Sequence, residues 1–395
     1  MTAGVAWLVA LCGLLATLAL SWHDMPDLTV LDAVVLRGIQ EQRYPGAVLI
    51  VGIRGRTRIA RAYGRHTYAP DSPEMTLDTL FDLASVTKVV AGTPAVLCLV
   101  EDDKLDLDSP VAKWWPEFAA NGKDQVTLKD LLTHVSGLKA YEDYRVVENQ
   151  RLPKETPADA LYRHYAALPL AYPPRTKMVY SCLNLQTAAA LVQKVSGEDL
   201  ESLLKRRVWG PLGMRNTTYR PTGKLRTRCA PTAVDPDGQP VRGTVHDPLA
   251  AYHGSSRLCP GNAGVFSTAG DLVRYVEMVL GNGKRRGKRV LSAESVRLMT
   301  AVHTPEGVAP LRSVGWAVYS EPPFVPTGGQ DAQRRTIGHT GYTGTWLWVD
   351  PPSRSYIIFL TNRVFPSPAT GGEGASIDPI RADIARVVTE VLQKR

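Results

Sequence analysis

The sequence lacks the features that mark several large classes of protein. It contains no low-complexity tract, no heptad run and no repeat of fixed period, which excludes fibrous, coiled-coil and solenoid architectures. It also has no cluster of cysteine and histidine at zinc-binding spacing. What remains is a chain of 395 residues, 44% hydrophobic and 21% charged, which predicts a globular protein with a sizeable core and two domains or subdomains.

Positive charge is missing from the N-terminus, because the first lysine or arginine is Arg37. Residues 3–22 carry no charge, and about twenty mostly apolar residues can span a bilayer. The missing positive residues weaken the case for a secretory signal, although residues 19–21 would serve as a cleavage site. Residues 1–22 are therefore predicted to be either a membrane anchor or a cleaved signal peptide. Either one places the remainder outside the cytoplasm, in the periplasm or secreted.

The formal net charge is +8, and the densest basic cluster is residues 284–289. Gly281 and Gly283 precede it, which predicts a surface turn between two helices. This turn is either simply solvated or in contact with an anionic cell envelope. No nucleic-acid-binding motif accompanies the cluster, so no nucleic-acid partner is expected.

Three cysteines receive separate predictions. Cys98 falls in an apolar helical pattern and is predicted to be a buried thiol. Cys229 and Cys259 lie in predicted loops and could form a disulfide if the domain is exported. The sequence does not show whether their geometry allows it, so this alternative stays open.

The periodicity of apolar residues predicts strands at both ends of the chain and helices between them. Predicted strands are 47–53 and 57–62, joined as a hairpin, and later 313–319, 335–339, 343–349 and 356–360. Predicted helices are 27–41, 158–168, 186–196, 197–208, one that begins after a Ser267 cap and ends at Gly281, and 380–393.

This order of elements predicts an α/β (α+β) fold, with an antiparallel sheet flanked by helices and an inserted, mostly helical domain. Residues 28–106 and 266–395 would form the sheet domain, and residues 107–265 the helical domain. A cleft between the two is the default location for a functional site.

Ser85 and Lys88 are the first candidates for chemistry. They lie three residues apart at the predicted start of a helix, which puts both side chains on one face. A lysine amine beside a serine hydroxyl can activate that hydroxyl as a nucleophile. The same spacing occurs at Ser136 and Ser202, but only Ser85 precedes a long apolar run, residues 89–100. The alternative is that Ser85 merely caps the helix.

Two further segments complete a pattern. Residues 179–184 offer Tyr180 just before a helix, and residues 338–343 offer His339 between two predicted strands. Ser-x-x-Lys, then Tyr-Ser-x, then His-Thr-Gly resembles the serine β-lactamase and penicillin-binding protein superfamily. The closest resemblance is to the branch with class C β-lactamases, D-alanyl-D-alanine carboxypeptidases, D-aminopeptidases and esterases. Residues 104–110, 127–137, 261–269 and 338–344 extend the resemblance, which covers about 28–395.

The resemblance implies a mechanism. Ser85 would attack a carbonyl carbon, and Lys88 and Tyr180 would share the task of taking its proton. The backbone N–H groups of Ser85 and Tyr342 would bind the oxyanion. The substrate would be a small molecule or peptide, and no metal or cofactor is expected.

The resemblance also implies substrate-binding residues. His339 and Thr340, with Gly341 beside them, would form the wall opposite the nucleophile and meet a carboxylate or leaving group of the substrate. Gly341 would allow a close approach of the backbone.

Two positions depart from the family pattern. Cys182 stands where the family has asparagine, and a thiol is weak both as a donor and as an acceptor. Asn184, two residues later, is a possible substitute. His339 stands where many β-lactamases have lysine, and histidine can be neutral at pH 7.

These departures favour a D-amino-acid peptide or a carboxylic ester over a β-lactam as substrate. The alternative is a catalytically weak envelope protein that binds peptidoglycan-like peptides or a protein partner, and Cys182 is its main support. A third possibility, that the motifs occur by chance, predicts that the site residues do not share one cleft. The oligomeric state is left open.

Overall fold

A computed structural model describes residues 28–320, 335–366 and 376–393, so the predicted anchor or signal segment, residues 1–22, lies outside the described residues. The strands of the described residues are β1 (Gly46–Ile53), β2 (Arg56–Gly64), β3 (Phe81–Asp82), β4 (Ala233–Val234), β5 (Pro240–Val241), β6 (Phe266–Ser267), β7 (Lys284–Arg285), β8 (Lys288–Arg289), β9 (Ala317–Tyr319), β10 (Thr336–Thr340), β11 (Trp346–Asp350) and β12 (Ser355–Thr361). The α-helices are α1 (Val30–Gln40), α2 (Thr93–Glu101), α3 (Leu128–Leu132), α4 (Tyr144–Glu148), α5 (Pro157–Ala167), α6 (Cys182–Ser196), α7 (Leu200–Leu204), α8 (Gly210–Leu212), α9 (Gly223–Thr227), α10 (Pro248–Gly254), α11 (Ala269–Leu280), α12 (Ala293–Thr300) and α13 (Asp378–Gln393).

Six strands form one antiparallel sheet in the order β2-β1-β12-β11-β10-β9. The pairing of β1 with β12 joins the two ends of the chain, with Val48 opposite Leu360 and Ile50 opposite Ile358. β1 and β2 form the predicted hairpin. The predicted fold class, an antiparallel sheet flanked by helices, is confirmed.

Helices cover both faces of this sheet, which explains why β1 and β12 are buried at every residue. Successive side chains of a strand point to opposite faces. Leu49 and Val51 accordingly share a core with Ile384 of α13. The alternate residues Val48 and Ile50 belong to the larger core on the other face. The continuous apolar run of β1 is therefore what a strand covered on both sides requires.

The segment Ala84–Glu101 lies at the centre of the larger core. It is long and apolar enough to cross a membrane, yet 83% of it is buried inside the protein, as expected for a core helix. It is not one regular helix: a 3-10 turn (Ala84–Val86) and a π-helical turn (Lys88–Gly92) precede α2. Single π turns occur frequently at functional sites. Residues 89–99 are all buried, and the predicted burial of the Cys98 thiol among them is confirmed.

All six predicted helix starts differ from those of the structure, by one to four residues. α6 begins at Cys182 rather than residue 186, and α7 begins at Leu200, where Asp199 caps it, rather than at residue 197. The cap of α11 is Thr268, because Ser267 belongs to β6. α11 does end before Gly281, as predicted.

Two local predictions have clear outcomes. Residues 284–289 form a mostly exposed hairpin, β7 and β8, between α11 and α12, which confirms the predicted surface turn. Cys229 and Cys259 are both buried free thiols, so the disulfide that the sequence left open is absent from the structure.

Candidate active site

Ser85 follows a tight turn at the end of β3. Ala84 has φ +45°, a left-handed conformation that is strained for a residue with a Cβ atom. The carboxylate of Asp82 accepts the Ala84 N–H at 2.9 Å and stabilises the turn. The turn leaves the Ser85 side chain partly exposed, in the wall of a cleft.

Lys88 lies directly beneath Ser85 and is fully buried. Its ammonium donates to Ser85 Oγ at 3.0 Å and to the Asn262 carbonyl at 3.0 Å, and it lies 3.7 Å from Cys182 Sγ. Burial lowers the pKa of Lys88, but the combined influence of Cys182 and Tyr180 is larger, and the net direction is upward. Lys88 is therefore positively charged at neutral pH.

Tyr180 lies between cationic and aromatic groups, just before α6. Its ring centre is 4.8 Å from Lys88 Nζ and 5.6 Å from the guanidinium carbon of Arg312. The rings of His134 and His339 are 4.8 and 5.8 Å away. Tyr180 thus lies close to two cationic side chains and two imidazole rings.

His339 is only 4% exposed, and its Nδ1 is 2.8 Å from the carbonyl oxygen of Thr340. A carbonyl can only accept a hydrogen bond, so Nδ1 is protonated and Nε2 is the unprotonated nitrogen. Burial, together with the charges of Arg312 and Lys88, holds the pKa of His339 well below its usual range. The ring is therefore neutral at pH 7, and the positive charge at this wall comes from Arg312.

Gly341 brings the end of β10 against the Ser85 turn. A Cβ atom at this position would lie 2.1 Å from Thr345 Oγ1 and 2.4 Å from the Leu83 carbonyl oxygen. The Gly341 N–H donates to the Thr345 carbonyl at 2.8 Å, and the Gly341 carbonyl accepts from Gly344 at 3.0 Å. These bonds hold the peptide that links Gly341 to Tyr342 in one orientation.

Cys182 lines the cleft, whereas Asn184 does not. Asn184 is fully buried, accepts a hydrogen bond from Ser136 Oγ at 2.6 Å and contacts His134 Nδ1 at 3.2 Å. Because α6 begins at Cys182, the two side chains project from different sides of its first turn. The possibility that Asn184 replaces the missing family asparagine was therefore wrong.

The predicted site residues share one cleft of about 710 Å³. Seven of them line it: Ser85, Tyr180, Cys182, His339, Thr340, Gly341 and Tyr342. The eighth, Lys88, lies directly below Ser85. Sequence reasoning missed seven other residues whose polar side chains also line it: Tyr141, His246, Asp247, Arg312, Tyr319, Arg363 and Arg381. They come from segments far apart in the chain. The one local signal among them is Asp247, which caps α10 immediately before Pro248.

Comparison with known proteins agrees with this geometry. The sequence model of the β-lactamase family matches residues 31–378. A protein of Escherichia coli strain K12 provisionally named a D-alanyl-D-alanine carboxypeptidase is 30% identical over 332 residues, which are 77% of this chain and 74% of that protein. The N-acetylmuramyl-L-alanine amidase of Bacillus subtilis strain 168 is 29% identical over 346 residues, 81% and 77% of the two chains.

Among solved structures, EstCE1, described as a hydrolase with promiscuous acyltransferase activity, superimposes with a TM-score of 0.69 at 24% identity and covers 91% of this chain and 97% of its own. This likeness shows a shared fold. The match of the family model covers most of the chain, from α1 to the start of α13. The chain therefore belongs to the β-lactamase family of serine hydrolases.

Proposed function

We propose that this protein hydrolyses a D-amino-acid peptide or a carboxylic ester through an acyl-enzyme on Ser85. One observation carries the proposal. At the wall of the cleft the Lys88 ammonium donates to Ser85 Oγ at 3.0 Å, and the Tyr180 ring centre lies 4.8 Å from the same nitrogen. A helix cap would not need a buried lysine on the serine oxygen. The pairing supports a nucleophile with a neighbouring proton acceptor.

In the proposed reaction, Ser85 Oγ forms a bond to the substrate carbonyl carbon and loses its proton to the oxygen of Tyr180. Lys88 stays charged and orients Ser85 through its hydrogen bond to Oγ. Collapse of the tetrahedral intermediate breaks the bond to the leaving group, and the Tyr180 hydroxyl donates its proton to that group. Water then repeats the sequence on the acyl-enzyme and releases the acid.

The oxyanion of each tetrahedral intermediate would accept hydrogen bonds from the backbone N–H groups of Ser85 and Tyr342. Both residues line the cleft on facing segments. Removing a single donor of this kind typically costs about 2.7–4 kcal/mol of barrier.

Charge in the cleft favours a substrate that carries a carboxylate. Arg312, Arg363 and Arg381 line it, and Asp247 is the single carboxylate among the lining residues that the structure describes. Arg312 is only 9% exposed, and within the described ranges its Nε has no hydrogen-bond partner. A buried donor without an acceptor is costly, and a substrate carboxylate that accepted from this guanidinium would relieve that cost.

The names of two relatives support a cell-wall peptide as substrate. One is provisionally named a D-alanyl-D-alanine carboxypeptidase, and the other is named an N-acetylmuramyl-L-alanine amidase. An enzyme with such a substrate works outside the cytoplasm, in the periplasm or secreted. Cys182 at the position of the family asparagine argues against efficient hydrolysis of acylamino β-lactams.

The first test is intact mass after incubation of the protein, without residues 1–22, with an activated acyl ester. Acyl transfer to Ser85 gives one adduct or steady turnover, and Ser85→Ala gives neither. Absence of both in the unchanged protein would contradict the proposal. It would favour the alternative supported by Cys182, a catalytically weak envelope protein, whose binding of peptidoglycan-like peptides should survive Ser85→Ala.

The second test concerns Arg312 and uses two peptides that differ only at the end, D-alanyl-D-alanine with a free carboxylate and its C-terminal amide. A charge-assisted hydrogen bond contributes about 1.5–3 kcal/mol. Arg312→Gln should therefore lower kcat/KM for the acid by about ten- to hundredfold and leave the amide nearly unchanged. Arg297→Gln, at an exposed ion pair on α12, is the control. An equal loss on both peptides would contradict recognition of the carboxylate.

A further inference from the structure

Asp82 contacts three segments of the site without lining the cleft. It is 2% exposed, at the end of β3. One carboxylate oxygen accepts the Ala84 N–H at 2.9 Å, and the other accepts the His246 N–H at 2.8 Å. Its backbone carbonyl accepts from Thr343 Oγ1 at 2.7 Å. No other carboxylate in the site touches so many of its segments in the described parts of the chain.

Two of these contacts end next to the two N–H groups proposed to bind the oxyanion, and the third reaches one of those residues indirectly. Ala84 directly precedes Ser85, and Thr343 directly follows Tyr342. His246 reaches the same tyrosine through its ring, which stacks on the Tyr342 ring at 5.7 Å with an interplanar angle of 28°. Asp82 is thus bonded to both sides of the gap that an oxyanion would occupy.

The left-handed turn at Ala84 shows that this bonding opposes a real strain. With φ at +45°, Ala84 would relax to a more ordinary conformation if nothing held its N–H. That relaxation would rotate the following peptide, which carries the Ser85 N–H. The carboxylate of Asp82 is the group that holds it.

We propose that Asp82 is a positioning residue that keeps the N–H groups of Ser85 and Tyr342 at the spacing an oxyanion requires. The inference rests on the proposed acyl-enzyme function and adds to it a residue that touches neither substrate nor nucleophile. It needs the carboxylate in its ionised form, because a protonated carboxyl cannot accept both N–H groups as well.

The charge of Asp82 is set by its surroundings. The titratable groups that face it are Asp247 and His246 on the adjoining loop and Cys229 beside Leu80. No cation pairs with it among the residues that the structure describes. Burial therefore raises the pKa of Asp82 to about 6, against the opposing effect of the two N–H donors. Positioning should weaken as the pH falls through 6.

The decisive variant is Asp82→Asn, which keeps the shape and removes the charge. We expect the acylation rate constant at pH 8 to fall about 10–100-fold with little change in KM, because a displacement of about 1 Å in an active site can cost about 10²-fold. We also expect the unchanged protein to lose acylation rate below about pH 6, and the variant to lack that acid limb.

Asp271→Asn is the matched control. Asp271 is also a buried carboxylate at 3% exposure, and it accepts the Asn216 N–H at 2.7 Å and the Thr217 hydroxyl at 3.0 Å, which belong to neither the Ser85 nor the Tyr342 segment. If Asp82 were merely structural, both variants would lower the melting temperature and keep the acylation rate of the folded fraction. That result, or an unchanged acid limb in Asp82→Asn, would overturn the proposal.

Two variants of Thr343 keep the proposal testable if Asp82→Asn does not fold. Thr343→Val removes the hydroxyl that donates to the Asp82 carbonyl, and Thr343→Ser keeps it. We expect a severalfold lower acylation rate in the first and a nearly unchanged rate in the second, and equal rates in the two would overturn the proposal. Failure of the acyl-enzyme function itself would look different, since the unchanged protein would then form no adduct at any pH.

Discussion

Gly341→Ala is the sharpest test of how closely the end of β10 must approach the nucleophile turn. The added Cβ would lie 2.4 Å from the Leu83 carbonyl oxygen, whereas ordinary contact begins at 3.4 Å. The difference is 1.0 Å. Rigid backbone on one side and Thr345 Oγ1 at 2.1 Å on the other leave no free space, so one of the two segments must move by about that amount.

Two consequences of this displacement can be given magnitudes. Overpacking a well-packed site costs about 1–3 kcal/mol in the free energy of unfolding. Moving the Tyr342 N–H away from the proposed oxyanion position should also lower the acylation rate by about 10²–10³-fold, the typical cost of one lost oxyanion donor. The loss of rate should therefore greatly exceed what the loss of stability explains.

The assay combines thermal unfolding with the rate of acyl-adduct formation by mass spectrometry. Gly270→Ala is the control, because a Cβ there meets nothing within 4 Å and the residue lies in the first turn of α11. That variant should keep the acylation rate and gain up to about 1 kcal/mol of stability. A Gly341→Ala protein that is acylated at the unchanged rate would refute the argument from close approach.

Three further predictions concern single side chains. Lys88→Met should lower the acylation rate by about 10²–10⁴-fold, as measured in a burst assay, because Ser85 Oγ loses its charged neighbour; a full burst would contradict it. Iodoacetamide should label Cys182 first among the four described cysteines, because the other three are buried, with turnover falling as the label appears; Cys182→Ala should resist both effects. Burial lowers the pKa of His253 to about 4, so its stabilising contribution is complete above pH 6.5 and declines as the pH falls toward 4. This residue should lower the free energy of unfolding by about 3 kcal/mol over that range. Denaturation measured at several pH values should show a loss that is smaller by this amount in His253→Gln.

Much of the fold could be predicted from the sequence because it depends on local patterns of residues. The apolar run of β1, the hairpin to β2 and the end of α11 at Gly281 follow from neighbouring residues. Helix starts were less accurate, since a cap is chosen by geometry: Thr268 caps α11 although Ser267 is equally suited by type. The domain boundaries, residues 28–106 and 266–395 against 107–265, stay a prediction.

Of the candidate site, only the residues that belong to sequence motifs could be predicted. Ser85, Lys88 and Tyr180 stand in short segments that resemble a family, and the structure brings them together. Arg312 has no such signal, because its importance lies in being buried beside Tyr180, which is distant in sequence. Asp82 stands within the nucleophile segment, yet its bonds to His246 and Thr343 cannot be inferred from it.

The sequence by itself determined the fold class, through the periodicity of its apolar residues, and the family, through the resemblance of its motifs to those of known members. The roles of Ser85 and Lys88 stay a prediction. Only the tertiary structure decided that His339 is neutral, that Asn184 faces away from the cleft and that Arg312 supplies the charge. Burial and long-range contacts control these properties. They arise when β12 pairs with β1 and α6 packs against α2, which brings together residues that are far apart in the sequence.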